Sequence, residues 1–550
     1  MPDLNGPFLS IDQNSNVFWD TLPKLAALAR RGLAGRHCVE DIDVAFTRQG
    51  AAPGDTALRL EPEGYYRSGN TDWGAALFYT KFLGRNPVNP RGLEPYTGQT
   101  TAALARQQDL TLDAFYERYA GSDNWQVTGP SYLTDQRLHR CIGDLAAAET
   151  APFLRQLLEL ARGDLLERFP EPAAQARLTA WFDHETVRLN AILAECAGGS
   201  LVQVYQAWTR AHVPATITVS TTAEWFQANP DLRLLSRFVN DYAHCVALYN
   251  DAIAATGTGQ TPLHPDRGDL PFFAVFRRDG RLIRAPLTVS DGWLEAGDRR
   301  WRLPDAGRSA TLAESLGNAW RHDGVICLAG KALLLVIQAR SAPHGASLAL
   351  PHLGSLYLPA AHEFQRRLRA AGLLDWPVAP VWRVRFHFLD RWRDCPTRVR
   401  VPEWLAGVFQ ADEAPAGQLA AELPQVQEKA ATELAAMRSD AGRQTLQEQL
   451  WPRLTDEIRG LDTERRALAR DPARRAETAA LWARLKPLER ELARRHFERA
   501  LRNLQLRGLD YWDSRGALLP WSIALGGEAF YDRLLAGAEI ITEDPEATPG

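Results

Sequence analysis

Imidazoles and guanidinium groups gather in one stretch of this chain. His344, His352 and His362 fall within SAPHGASLALPHLGSLYLPAAHEF, and Arg383, Arg385 and His387 follow in VWRVRFHFL. Histidine moves protons near neutral pH, and arginine grips carboxylates and phosphates through paired N–H groups. Alternation along a strand puts Arg383, Arg385 and His387 on one face. In a parallel strand covered on both sides, that face must meet a cleft, a carboxylate or an anionic ligand, because burying such groups unpaired is prohibitive. Ligand contact and structural ion pairing both satisfy that demand. The loop around His352 is rich in small residues and proline and follows a strongly apolar run. Loops at the carboxyl ends of parallel strands are where α/β proteins place their sites, although a packed crossover loop has the same composition.

The familiar catalytic fingerprints fail. Gly324 and Gly330-Lys331 stand one residue too far apart for a phosphate loop, and Ala332 replaces the hydroxyl that would reach magnesium. No GxGxxG opens a helix, and neither HExxH nor GxSxG occurs. Asp183-His184-Glu185 lies in a helical stretch, where adjacent side chains diverge, so no metal site is assigned. The six cysteines show no CxxC spacing, which indicates neither a zinc ribbon nor a disulfide framework.

The elements that must position these groups are legible in outline. GVICLAG, ALLLVIQAR and APVWRVRFHFL alternate strand and helix texture, predicting a parallel-sheet unit between about 320 and 395. Residues 270–305 read as a β-meander, with a hairpin turn at Asp279-Gly280. A helical insertion spans about 135–255; within it ATITVST is strand-like, and Leu232 to Ala255 reads as one amphipathic helix. Residues 1–135 mix apolar runs with Gly, Pro, Asn and Asp, as an α/β region with long loops does. After Pro415 the texture changes. Leu446, Leu450, Leu454, Ile458, Leu461 and Leu468 form one helical stripe, and Leu481, Leu485, Leu488 and Leu492 keep coiled-coil spacing. Asp471-Pro472 between them predicts an antiparallel coiled coil. The division expected is a core over 1–415, a coiled-coil arm over 416–508 and an apolar segment over 509–550 docking on the core.

Composition narrows the function classes. The chain has 550 residues, 45% hydrophobic and 24% charged, with a net charge of -4. That excludes a disordered chain and argues against nucleic-acid binding carried by overall charge. Residues 471–507 alone hold ten basic and five acidic residues, so nucleic-acid contact through this arm is the weaker alternative and a solvated arm face the simpler one. The start of the chain has no basic and apolar leader pattern, and no apolar run is long enough to span a bilayer, so a cytoplasmic location without membrane contact is expected.

Several segments together resemble the bacillithiol-biosynthesis cysteine-adding enzymes and their relatives. Lys331-Ala332-Leu333 through Arg340 resembles the family's run before a Gly-rich loop, and Leu350 to Pro359 resembles that loop, followed by AAHEFQRRL and PVAPVWRVRF. RFVNDYAHCVALYNDAI followed by LPFFAVFRRDGRLIR is similar to a helix-then-hairpin segment of those relatives. Gly69-Asn70-Thr71 leading to Lys81 is similar to a Gly-Gln-Gln loop with its downstream lysine, and LQLRGLDYW to a segment after the coiled coil. Where the family has Gly-Gly-Pro-Gly-Glu, this chain has Tyr357-Leu358-Pro359-Ala360-Ala361.

The resemblance implies a Rossmann-like α/β core and a ligase joining an amino acid, cysteine in that family, to the amine of a small anionic acceptor. On that basis His352 and His387 are candidate proton-handling residues. Arg383, Arg385, Lys81, Lys331, Asn70 and Tyr357 are candidate substrate-binding residues. A nucleotide such as ATP or ADP is the implied activating partner, and the coiled coil offers a route to a homodimer. The rival expectation is a non-catalytic binding or scaffold protein on the same fold, using the coiled coil for dimerisation or partner binding.

Overall fold

The computed structural model describes residues 6–11, 21–43, 46–48, 57–59, 88, 90–120, 126–128, 139–258, 260–304, 312, 316, 319–320, 322–341, 345–355, 357–513 and 517–544. Among these, six strands make the central sheet: β1 (Phe8–Ile11), β2 (Gly35–Val39), β3 (Ile217–Thr221), β4 (Ser347–Pro351), β5 (Val381–Arg385) and β6 (Glu539–Glu543). Their spatial order is β6-β5-β4-β1-β2-β3. All neighbours run parallel except β6, which lies antiparallel on β5.

β1 and β4 are buried along their whole length, as expected of parallel strands with apolar residues at successive positions and both faces covered. Side chains alternate between two cores. Phe8, Val39, Ala349, Trp382 and Val384 join one, with the helices Ala147–Arg168 and Pro172–Glu195. Leu9, Cys38, Leu348, Leu350 and Val381 join the other, with the helices Ala332–Arg340 and Leu358–Ala370. Chain direction across the sheet reverses between β1 and β4. In open α/β sheets the carboxyl ends beside such a reversal line a crevice.

The second sheet is antiparallel, in the order Arg299–Arg302, Trp293–Ala296, Arg281–Ser290, Asp269–Arg278, Val325–Gly330. Asp279 and Gly280 both take positive φ, 50° and 78°, the backbone a two-residue hairpin needs to match strand twist. GVICLAG therefore belongs to this sheet, paired antiparallel to Asp269–Arg278, rather than to the parallel unit predicted for it. A short, fully apolar run looks alike in either setting, and the sequence carries no signal of its partner. The helix expected over Leu232–Ala255 is two, Arg233–Asn240 and Tyr242–Thr256, broken at Asp241 with φ -136° and ψ 59°.

Beyond Pro415 run the helices Ala416–Met437, Asp440–Leu450, Pro452–Leu468 and Arg475–Arg507. The outer pair packs through Leu461, Leu481 and Leu485, with Ile458, Leu468 and Leu488 at the margin. Asp471 caps the return as its spacing predicts, its Oδ1 accepting the Ala473 N–H at 2.9 Å. The leucine stripe over 446–468 is interrupted at Pro452, which starts a new helix. Nearer the core, Leu434, Met437, Phe497 and Ala500 pack with Leu93, Tyr96, Leu104 and Phe115 from the first quarter of the chain. The final segment supplies the helices Leu518–Gly526 and Glu528–Ala536 before β6. Trp521 is fully buried and stacks on Trp392 at 5.7 Å.

Candidate functional site at the carboxyl edge

Two groups of polar side chains sit at the carboxyl ends of the parallel strands, one on each side of the reversal point. The first belongs to β4 and β5. β4 ends at Pro351, and the His352 N–H continues the ladder to the Val384 carbonyl at 3.0 Å. Its imidazole is half-buried, and the buried Nδ1 has no hydrogen-bond partner among the described residues. Burial, then the charges of Arg385 and Arg383, hold its pKa below 6.5 despite Glu543 and Glu539 nearby. His352 is therefore neutral at pH 7 and able to accept a proton.

Arg383 is 6% exposed. Its Nη1 donates to the carbonyls of Pro351 at 3.0 Å and Gly354 at 2.6 Å, and Nε lies 3.2 Å from Glu543. A guanidinium held this way fixes the loop that carries His352, so Arg383 is a positioning residue. Arg385 is more open, its side chain 37% exposed and its Nε 3.6 Å from Asp513. It is the guanidinium of this group best placed to meet an anion. His387 has left the strand, with φ 54°, and its Nε2 lies 3.1 Å from Glu539. The expected face thus divides between one positioning arginine, one half-open arginine and a histidine paired with carboxylates.

Tyr357 precedes the helix Leu358–Ala370, its carbonyl accepting the N–H groups of Ala360 and Ala361 at 3.1 Å. On that helix His362 has a buried Nε2 with no partner among the described residues, and burial followed by the charges of Arg340 and Arg383 lowers its pKa to about 4. Lys331 is not part of this group. It precedes the helix Ala332–Arg340 beside the second sheet, where burial and then Arg284 lower its pKa while Asp269 opposes them. Asn70, Lys81 and His344 lie outside the described residues.

The second group follows β2 and β3, and sequence reasoning missed it. Glu40 and Asp41 are buried immediately after β2. Glu40 Oε1 accepts the Ile42 N–H at 2.9 Å, and Asp41 Oδ1 accepts the Ala223 N–H at 2.9 Å. Arg284 reaches across from the second sheet to Asp43 at 2.9 Å. Burial, followed by repulsion from Asp43 and Asp41, raises the Glu40 pKa well above the carboxylate range. Burial raises Asp41 to about 6. The available signal was Glu40-Asp41-Ile42-Asp43 directly after the strand-like His37-Cys38-Val39, since carboxylates crowded at a strand end have few places to go except a site or a buried network.

His352 on one side of the reversal is held neutral, and on the other side Glu40 is pushed to keep its proton while Asp41 is shifted in the same direction to about 6. Among the described residues no group of three His, Cys, Asp or Glu side chains is placed to hold a metal ion. No known protein-family model matches the chain, and no curated protein matches it.

Proposed function

We propose that the protein is an enzyme with a Rossmann-like core that joins an amino acid, cysteine being the first to test, to the amine of a small anionic acceptor. The supporting observation is His352, half-buried and neutral, held beside the half-open Arg385 at the carboxyl edge. Arg385 would receive the acceptor's anionic group. His352 would take the proton the amine must lose to attack, because an ammonium has no lone pair. The amine nitrogen then bonds to the activated carboxyl carbon, and the activating group leaves with its oxygen. The chain carries no glycine-rich phosphate loop, so no residue is assigned to a nucleotide. Arg383 and Tyr357 would act by holding the loop, and His387 by its link to β6.

One observation favours a binding protein without catalysis: Arg383 and His387 already have partners within the fold. Both readings meet the same experiment. The purified full chain is incubated with ATP, cysteine or other amino acids, and amino sugars bearing a carboxylate or phosphate, and products are read by mass spectrometry. A conjugate that disappears in His352→Asn and weakens in Arg385→Ala supports the enzyme. Retention of the acceptor without any conjugate supports the binding protein, and neither outcome across a broad panel ends both.

A further inference from the structure

A cavity of about 620 Å3 lies away from the residues of the carboxyl-edge groups and shares none of them. One wall is the helix Pro172–Glu195, where Arg177, Trp181, His184 and Arg188 follow i, i+4, i+7, i+11 spacing and so share a face. The other wall is the start of the helix Glu528–Ala536, with Glu528, Tyr531 and Asp532, and between them Leu519 and Ile523 supply apolar surface.

The first wall is rigidly built. Glu185, 2% exposed, accepts from the Trp208 indole at 3.0 Å, from His212 at 3.1 Å and from Arg188. Burial alone would raise its pKa. The hydrogen bonds from His212 and Trp208, with the charges of His212 and Arg188, prevail and keep it ionised. Arg188 is thereby fixed, with its Nη2 3.3 Å from His184. Arg177 donates to the carbonyls of Ile523 at 3.0 Å and Ala524 at 2.5 Å. It has these hydrogen bonds but no carboxylate partner among the described residues. On the opposite wall Asp532 is held by Arg30 at 2.6 Å, while exposed Glu528 makes no ion pair among the described residues.

A purely anionic ligand would meet Glu528, and a purely cationic one would meet Arg177, while Arg188 is already paired with Glu185. A dipolar ligand satisfies both walls, and the Trp181, Leu519 and Ile523 surface takes an apolar side chain. We propose that this cavity binds a free α-amino acid with an apolar side chain, its carboxylate toward Arg177 and its ammonium toward Glu528. The site is independent of the activity proposed above, so either can fail alone.

Isothermal titration calorimetry of the full chain tests it, with leucine, methionine and phenylalanine and with N-acetyl-leucine and leucinamide as probes lacking one charge each. The expected result is saturable binding of at least one amino acid, with each blocked analogue weaker by about tenfold or more. Glu528→Gln, an exposed change, should bring leucine down to the affinity of N-acetyl-leucine without altering the latter. Trp181→Phe, checked for an unchanged circular-dichroism spectrum, should retain the charge preference. Absence of binding at about 10 mM ligand, or equal binding of blocked and free forms, overturns the proposal.

Discussion

At the residue scale, the pKa shifts carry two predictions. His352 loses its proton more readily than a solvent-exposed histidine, because burial and two guanidinium groups penalise its charged form. The acid limb of conjugate formation should therefore have its midpoint below 6.5, the ordinary value. His352→Asn should lower kcat by about 10²- to 10⁴-fold, the usual worth of a positioned base, with an unchanged melting temperature; an acid limb at or above the ordinary value would remove His352 from the role. Asp41 has the opposite shift, from 3.8 to about 6. Across that window the folded protein keeps a proton that the unfolded chain has released, so stability falls as pH rises and the loss is complete above it. Asp41→Asn keeps an oxygen for the Ala223 N–H and removes the buried charge. Urea denaturation should find it more stable than the parent near neutral pH, by at most about 3 kcal/mol at 1.36 kcal/mol per unit, and no more stable at the acid end of the window. Residue types were the legible part of this site. His352, Arg383 and Arg385 were picked out because alternation and an apolar context leave charged groups few options. Their division into a proton acceptor, a loop clamp and a half-open cation depends on Glu543, Gly354 and Asp513, which no local pattern connects to them.

At the element scale, the strands Ile217–Thr221 and Val381–Arg385, the hairpin at Asp279-Gly280 and the capped return at Asp471-Pro472 were legible because each is written in neighbouring residues, whereas Phe8–Ile11 and Gly35–Val39 were not picked out and Ser347–Pro351 lies in a segment read as a loop. What escaped was decided over distance. Val325–Gly330 went to the antiparallel sheet because its partner is Asp269–Arg278, and residues 88–120 found their apolar partners on the arm. The break at Asp241 was also missed, since one polar residue in an amphipathic pattern does not announce a kink. The outer hairpin of the arm rests on few buried side chains, Leu461, Leu481 and Leu485. Leu485→Ala should therefore cost about 2–4 kcal/mol locally. Because those contacts are separate from the main cores, the loss should appear as faster amide exchange confined to Pro452–Leu468 and the first half of Arg475–Arg507. A uniform increase across the central sheet would show that arm and core unfold as one unit.

At the scale of the whole molecule, residues 517–543 complete the sheet and the core to which Phe8–Ile11 belongs. β6 closes the open side of β5, with Ile541 opposite Arg383 and Glu539 opposite Arg385. The helix Leu518–Gly526 puts Leu518 and Trp521, both at 0% exposure, into the same core as Phe8, Leu154 and Leu178. The segment after Gly508 brings Asp513 to Arg385 and Glu543 to Arg383, so the candidate site is not whole until the C-terminal segment has docked. Truncation after Gly508 would expose a strand edge and leave the space of a buried tryptophan empty. Losing a Trp side chain from a core costs about 3–5 kcal/mol, and the loss of the neighbouring leucines adds to it, which approaches the whole stability of a typical domain, about 5–15 kcal/mol. The truncated chain should accumulate as insoluble material, or lose its near-ultraviolet dichroism if kept in solution. Replacing Pro452–Leu488 by a short Gly-Ser turn removes a comparable length from the outer arm and should leave the core's melting transition in place. A folded core in the truncated chain, or an unfolded one after the arm deletion, would reverse this assignment of where the molecule's stability lies.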